Sequence, residues 1–425
     1  MIGTLNKEFR EVTVVGAGIA GMLGAYYLDR SGYRVTLIEQ NERAGGLIRT
    51  RHTDHGIAES AAHSVIATET VLELCRELDV ELLEPRKEAK AKYIVRNGQL
   101  RKLPITVPEL IATAARAAFV RSNNDNGESL EAWGLRHLGQ PAVDYLLTPF
   151  VRGIYGVQPA ELGVAAAYPG LRVPVGKTLL SSRFTQPKNP KAKQVKKRVA
   201  PKYGMGDLAG RLERHLQLRL GNRFRKGEPV KSLPDGPNLI IATPANGAAA
   251  LVADQSRTLA EKLSNVRYTP IVSCTVFVDR RAFTKPVKGV GALMPACEDR
   301  KCLGILFNSS SFENRVPDPE HLASLTVMMG GTSQRNWLTA TDEEIEAAIA
   351  SELNILLGIQ EILSVVIHRW PAALPQYGSD LPAVWQYARD TWCTTPGRIL
   401  FGNYTGQISL RGMIESAAEI GLAVA

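Results

Sequence analysis

The feature that most constrains this chain is a short β-branched run, Val12 to Val15, that ends directly in Gly16-Ala17-Gly18-Ile19-Ala20-Gly21. A helical pattern follows, with Met22, Leu23, Tyr26, Tyr27 and Leu28, and stops at Ser31-Gly32. Arg34 to Ile38 then reads as a second buried strand, closed by Glu39 and Gln40. Strand, glycine turn, helix and strand within about 30 residues make the βαβ unit of a dinucleotide-binding sheet. Gly16 permits the tight turn. Gly18 lets backbone approach a pyrophosphate at the helix N-terminus, where free N–H groups point, and Gly21 lets helix and strand pack closely. Glu39, 23 positions after Gly16, can accept both hydroxyls of an adenosine ribose, and its charge repels a 2′-phosphate. A glycine pattern alone is a weak signal; the strand before it, the helix after it and the acid downstream make it specific.

The choice between FAD and NAD falls on the next segment, Glu42-Arg43-Ala44-Gly45-Gly46. Nothing in a simple NAD site demands a basic residue and a glycine pair there. Gly45-Gly46 permits backbone to approach the flavin side of a pyrophosphate, and Arg43 can neutralise it. The stretch resembles the Arg-x-Gly-Gly extension of flavoproteins such as amine oxidases, carotenoid desaturases and porphyrinogen oxidases, which points to FAD. No cysteine lies between Gly402 and Ser416, so the expected FAD is non-covalent.

With 425 residues, the chain is too long for one simple core, and two or three domains are expected. Its 44% hydrophobic and 22% charged residues exclude a disordered chain. The net charge of +9 favours acidic partners. Much of it sits in one run carrying Lys188, Lys191, Lys193, Lys196, Lys197, Arg198 and Lys202. This run reads first as a solvated loop and second as a membrane-surface contact. No aromatic residues interleave the lysines, which argues against nucleic acid. The five cysteines, Cys75, Cys274, Cys297, Cys302 and Cys393, contain no Cys-x-x-Cys pair. That argues against a disulfide framework or a structural zinc and for a reducing, cytoplasmic setting. Only about ten residues precede the first strand, which leaves no room for a signal peptide. No run of ~18 apolar residues occurs.

Further along, Ser60 to about Lys92 reads as helical and then extended, and Pro108 to Pro149 as mainly helical. Met205 to Leu220 is an amphipathic helix with Leu208, Leu212 and Leu216 on one face. Leu239 to Thr243, Ile271 to Val278, Leu303 to Phe307 and Ile399 to Gly402 read as strands. Asp342 to Leu357 is a helix capped by Thr341, and Met413 begins a last helix.

Several later segments, in order, resemble the protoporphyrinogen and coproporphyrinogen oxidase family of amine-oxidase-like flavoproteins. They are Pro149-Phe150-Val151-Arg152-Gly153-Ile154-Tyr155-Gly156 with Pro159 and Leu162; Leu303 to Ser309 with Phe312, Arg315 and Pro317; Gly330-Gly331; Trp370 to Tyr377; and Gly402-Asn403-Tyr404 with Ile414-Glu415-Ser416. The resemblance implies an α/β fold with two dinucleotide-binding (Rossmann-like) domains for FAD, a mixed-sheet substrate domain and a helical, membrane-facing subdomain. It divides the chain into FAD-binding pieces at 1–64, 205–255 and 369–425, substrate-domain pieces at 65–95 and 256–368, a helical subdomain at 96–180 and a basic loop at 181–204. By position, Val230 clamps the adenine through its backbone, and Ala61, Ala62, His63 and Ser64 line the flavin. Trp370 and the backbone of Ile408, Ser409 and Leu410 contact the isoalloxazine side, and Gly402 and Asn403 belong to the same segment. Lys92 stands where the family has an arginine that meets a substrate propionate; it supplies charge without the bidentate fork. The chain departs from the family pattern at Glu59-Ser60-Ala61-Ala62, at Gly378-Ser379-Asp380, and in the short stretch between Val230 and Leu239.

The implied activity is oxidation of a porphyrinogen. Six electrons leave in three flavin cycles, with oxygen as acceptor and hydrogen peroxide as product. No side-chain base is expected, and His63 reads as structural. Two rival readings remain: an amine oxidase of the same fold, with Tyr377 and Tyr404 as its aromatic pair, or an FAD-stabilised, non-enzymatic partner in porphyrin handling. Expected partners are the porphyrinogen, an anionic membrane surface on the cytoplasmic side, a neighbouring haem-pathway enzyme and a second copy in a homodimer.

Overall fold

The β-branched run and the glycine turn fold as their pattern requires. In the computed structural model, which describes residues 1–123, 127–185, 197–284 and 287–422, β1 (Glu11–Val15), α1 (Ile19–Arg30) and β2 (Arg34–Ile38) form the βαβ unit. β1 and β2 run parallel, in register from Glu11 opposite Arg34 to Val15 opposite Ile38. A hairpin of β3 (Thr50–Thr53) and β4 (Gly56–Glu59) follows. Next come β5 (Val65–Ile66), α2 (Glu69–Glu77), β6 (Leu82–Leu83), β7 (Lys92–Arg96) and β8 (Gln99–Arg101). α3 (Val107–Phe119) opens a helical stretch that includes Leu130–His137 and Thr148–Tyr155. β9 (Arg198–Pro201), the helix Met205–Leu220, β10 (Phe224–Arg225) and β11 (Leu239–Ile241) come next. The chain then builds β12 (Tyr268–Asp279), β13 (Gly291–Leu293), β14 (Gly304–Leu306), β15 (Leu322–Gly330) and β16 (Ser364–Pro375). It ends in β17 (Arg398–Leu400) and the helix Leu410–Leu422. Lys188, Lys191, Lys193 and Lys196 of the basic run lie outside the described residues.

Two sheets organise these elements. The first has the order β10-β2-β1-β11-β17, and every pairing in it is parallel. Its strands are covered on both faces, which is why they read as continuous apolar runs. Met22, Leu23 and Tyr26 of α1 share a core with Leu208, Leu212 and Leu216, the predicted stripe of Met205–Leu220, and with Ile414, Ala417 and Ile420 of the last helix. Three stretches far apart in sequence are thereby closed into one dinucleotide-type domain.

The second sheet has the order β16-β12-β15-β14-β13-β7-β8. It is mixed: β13 and β7 are parallel, whereas β12 pairs antiparallel with both β15 and β16. One face, through Val272, Cys274, Val276, Leu325 and Val327, packs on Ile345, Ile349 and Leu353 of the helix Asp342–Leu357. That helix begins as predicted: the Thr341 hydroxyl accepts from the Glu344 amide at 3.2 Å and the Glu344 carboxylate accepts from the Thr341 amide at 2.9 Å. Among the described residues there is one parallel dinucleotide-type sheet rather than two. The long strands of the second sheet meet their neighbours antiparallel instead of through βαβ crossovers.

β16 carries Pro371 and Pro375 and is tolerated because it lies at the sheet edge. Between residues 60 and 92 the predicted helix shrinks to α2, because β5 and β6 flank it and both pair with β9. No helix among the described residues is long and apolar enough to cross a membrane.

Candidate functional site

The carboxyl ends of β2, β1, β11 and β17 line one edge of the parallel sheet, and the predicted cofactor residues follow directly from β1, β2 and β17. Gly16, Ala17, Gly18, Ile19, Ala20 and Gly21 link β1 to α1, Glu39 and Gln40 end β2, and Gly402 and Asn403 end β17. This edge of a doubly wound sheet is where such folds bind ligands.

The glycines have distinct steric roles. A Cβ on Gly21 would stand 1.8 Å from the Gly16 carbonyl oxygen, so Gly21 is fixed by the packing of helix on strand. A Cβ on Gly18 would meet nothing within 4 Å. No side chain caps the start of α1 at Gly18. Open space in front of uncapped first-turn amides fits a diphosphate. The Glu39 carboxylate accepts from the Ala17 amide at 2.7 Å and from the Asn41 amide and side chain at 3.1 and 2.7 Å. The segment before Val230 is laced to the same place: the Glu39 amide donates to the Arg225 carbonyl at 2.8 Å and the Glu228 amide donates to the Glu39 carbonyl at 3.0 Å.

The second glycine turn is joined to the first. The Gly45 amide donates to the Ala17 carbonyl at 2.8 Å, and Gly45 and Gly46 both hold positive φ, +93° and +58°, which glycine alone adopts freely. Arg43 donates to the Gly46 and Ile48 carbonyls at 3.1 and 2.5 Å. It closes this turn, and its other donors remain for a phosphate.

The loop Ala61, Ala62, His63, Ser64 runs from β4 into β5, and its four residues are half-buried. Trp370 reaches it across the domain boundary: its indole Nε1 donates to the Ser60 carbonyl at 2.7 Å. Ser60, part of the departure from the family pattern, anchors the loop at two further points. Its hydroxyl donates to the Leu47 carbonyl at 2.6 Å and accepts from the Arg49 amide at 3.0 Å. Ile408, Ser409 and Leu410 lead into the last helix, where the Ser409 hydroxyl accepts from the Gly412 amide at 3.1 Å.

Electrostatics beside this loop were not legible in the sequence. Glu59 is 3% exposed and accepts from the Thr50 hydroxyl at 2.6 Å and from the Met205 amide at 2.7 Å. Its carboxylate therefore caps the helix Met205–Leu220. Burial pushes its pKa up to about 7, against the pull of Thr50, Met205 and Arg315. His63 is held down to about 3 by burial and by Arg315 and Arg198, so it stays neutral.

Lys92 is placed apart from these residues. Ile271 faces Trp370, and Gly291 faces Lys92, on the sheet face turned away from the helix Asp342–Leu357. Five strand steps separate β16 from β7, roughly 24 Å at ~4.8 Å per step. The helix Thr148–Tyr155 lies against the same face: a Cβ on Gly153 would stand 2.4 Å from the Leu293 side chain. Tyr377 and Tyr404 do not form an aromatic pair. Tyr377 packs edge-on to Trp385 and against Tyr155, and its hydroxyl donates to the Asn403 carbonyl at 2.5 Å. Tyr404 is 1% exposed.

Residues 19–425 match the family described as flavin containing amine oxidoreductase. The mitochondrial protoporphyrinogen oxidase of Nicotiana tabacum is 27% identical, over 97% of this chain and 94% of its own length. Protoporphyrinogen oxidase 2 of Arabidopsis thaliana is 25% identical over 96% and 92%. Among solved structures, a candidate protoporphyrinogen oxidase from an Exiguobacterium species superposes with a TM-score of 0.79 at 19% identity, covering 99% of both chains. A cyclohexylamine oxidase from Brevibacterium oxydans gives 0.71 at 15%, covering 98% of both. At these identities the structural likenesses show the fold.

Proposed function

Because this chain belongs to the flavin containing amine oxidoreductase family, we propose that it is an FAD-dependent oxidase that converts a porphyrinogen into its porphyrin. One observation carries the substrate choice: a single sheet face runs from Trp370, tied to the loop at Ser60, to Lys92 roughly 24 Å away. Such a face suits a broad macrocycle bearing carboxylates at its rim. The protoporphyrinogen oxidases that align along nearly the whole chain support the same choice.

Bound FAD would supply two-electron redox chemistry. Six hydrogens leave the porphyrinogen over three turnovers, and three molecules of oxygen leave as three of hydrogen peroxide. The chain's own residues orient. Amides at Gly18 to Gly21 hold the diphosphate, Glu39 takes the ribose, and Trp370 fixes the loop from Ser60 to Ser64 at the flavin end. Lys92 attracts a carboxylate at the far end. His63, neutral and half-buried, holds the loop rather than moving a proton. The amine reading loses its aromatic pair, since Tyr377 and Tyr404 face different neighbours.

Purified protein should be yellow. It should turn colourless protoporphyrinogen IX or coproporphyrinogen III fluorescent while consuming oxygen. A yellow protein inert to both would refute the substrate choice, and peroxide release with amines would install the rival reading.

Membrane association is part of the same proposal. α3 buries none of its residues, and Val107, Ile111 and Phe119 are 67%, 64% and 81% exposed. A helix with such a face is suited to an interfacial bilayer contact. Flotation with anionic liposomes at low and high salt tests it, and absence of flotation at both would remove it.

A further inference from the structure

We infer that Arg198, Arg315 and His63 form a carboxylate subsite at the flavin-loop end of the substrate face, opposite Lys92; this rests on the porphyrinogen reading. The three come from separate segments. β5, which continues from the loop Ala61–Ser64, pairs with β9, so that Ile66 lies opposite Arg198. The described end of the basic run is thereby brought against the flavin loop.

Phe312 gathers the two guanidinium groups, with Arg198 5.3 Å and Arg315 5.6 Å from its ring centroid. Arg315 is 4% exposed. Its Nη2 donates to the Pro201 carbonyl at 2.9 Å, while Nε and Nη1 are buried without a hydrogen-bond acceptor. The Arg198 guanidinium makes no ion pair or side-chain hydrogen bond among the described residues. His63 Nε2 is likewise buried and unpartnered.

The charge does not balance. Among the described residues, the only carboxylate paired with the cluster is Glu59, 3.7 Å from Arg315 Nη1, and its two oxygens already accept from Thr50 and Met205. A buried guanidinium, Arg315, with a half-buried one, Arg198, beside it and one committed carboxylate between them is costly unless another anion completes the set. A carboxylate is the ligand of matching charge and size, because it accepts from guanidinium and imidazole donors together. A rim carboxylate of a porphyrinogen held at this cluster would fix which edge of the macrocycle faces the flavin.

The test uses the FAD-loaded enzyme and the variant Arg198→Met, which keeps an apolar side chain on Phe312. Kinetics with protoporphyrinogen IX and coproporphyrinogen III should show KM raised about tenfold or more, the worth of one charge-assisted hydrogen bond, with kcat unchanged. Arg198→Lys should recover part of the loss. Independently of turnover, sodium acetate should raise the thermal midpoint of the wild type above that in sodium chloride at equal ionic strength, and not that of Arg198→Met. Wild-type KM in Arg198→Met, or equal effects of acetate and chloride on both proteins, would overturn the subsite and leave Glu59 as its sole counter-ion. Acetate-specific stabilisation that vanishes in Arg198→Met, in an enzyme inert to both porphyrinogens, would uphold the carboxylate site and sink the porphyrinogen reading instead.

Discussion

Replacing Gly18 by alanine separates the cofactor cradle from the fold that supports it. Gly18 has φ −62° and ψ 173°, a conformation any residue adopts, and a Cβ there meets no atom within 4 Å. The apoprotein should therefore lose no stability. It should gain about 0.4–1 kcal/mol, because alanine restricts the unfolded chain. The added methyl would stand where the diphosphate must approach the first-turn amides. Displacing two amide-to-phosphate hydrogen bonds, at about 1.5–3 kcal/mol each, weakens FAD binding by about 3–6 kcal/mol, a hundredfold or more in Kd. Gly21→Ala is the contrasting control. Its Cβ would lie 1.8 Å from the Gly16 carbonyl oxygen, so backbone must shift and the apoprotein should lose about 1–3 kcal/mol. Urea unfolding of the apoproteins and titration of flavin fluorescence give both quantities. Gly18→Ala with wild-type FAD affinity, or with a destabilised apoprotein, would refute the placement of the diphosphate.

Three further outcomes are expected. Burial raises Glu59 to about 7 from an ordinary 4.5, so the folded chain holds this proton more tightly than the unfolded one. Its contribution to stability is complete below pH 4.5 and is lost as pH rises through 7. Glu59→Gln should flatten that part of the urea-stability profile, and an unchanged profile would contradict it. Trp370→Phe removes the 2.7 Å bond to the Ser60 carbonyl and should cost about 0.5–1.5 kcal/mol with a shifted flavin absorbance; an unaltered spectrum would place Ser60 away from the flavin. Thr341→Ala should cost about 1 kcal/mol through the lost helix cap and leave FAD affinity unchanged, because the helix Asp342–Leu357 lies on the opposite face of the second sheet.

The sequence by itself determined the local devices, because each needs only neighbours along the chain. The βαβ unit from Glu11 to Glu39, the stripe of Leu208, Leu212 and Leu216, and the Thr341 cap are set by periodicity, glycine sterics and capping within a few residues. Tertiary structure decided everything whose partner is distant. β15 and β16 are strands because β12 lies between them, and α2 is short because β9 draws β5 and β6 to its two ends. The Trp370 bond to Ser60 joins residues 310 positions apart. Arg43 reads in sequence as a phosphate ligand, yet folded it also closes its own turn. The cluster of Arg198 and Arg315 with the neutral His63 was invisible along the chain: charge depends on what is buried beside it, and only the folded domains bring β9, Phe312 and the flavin loop into contact.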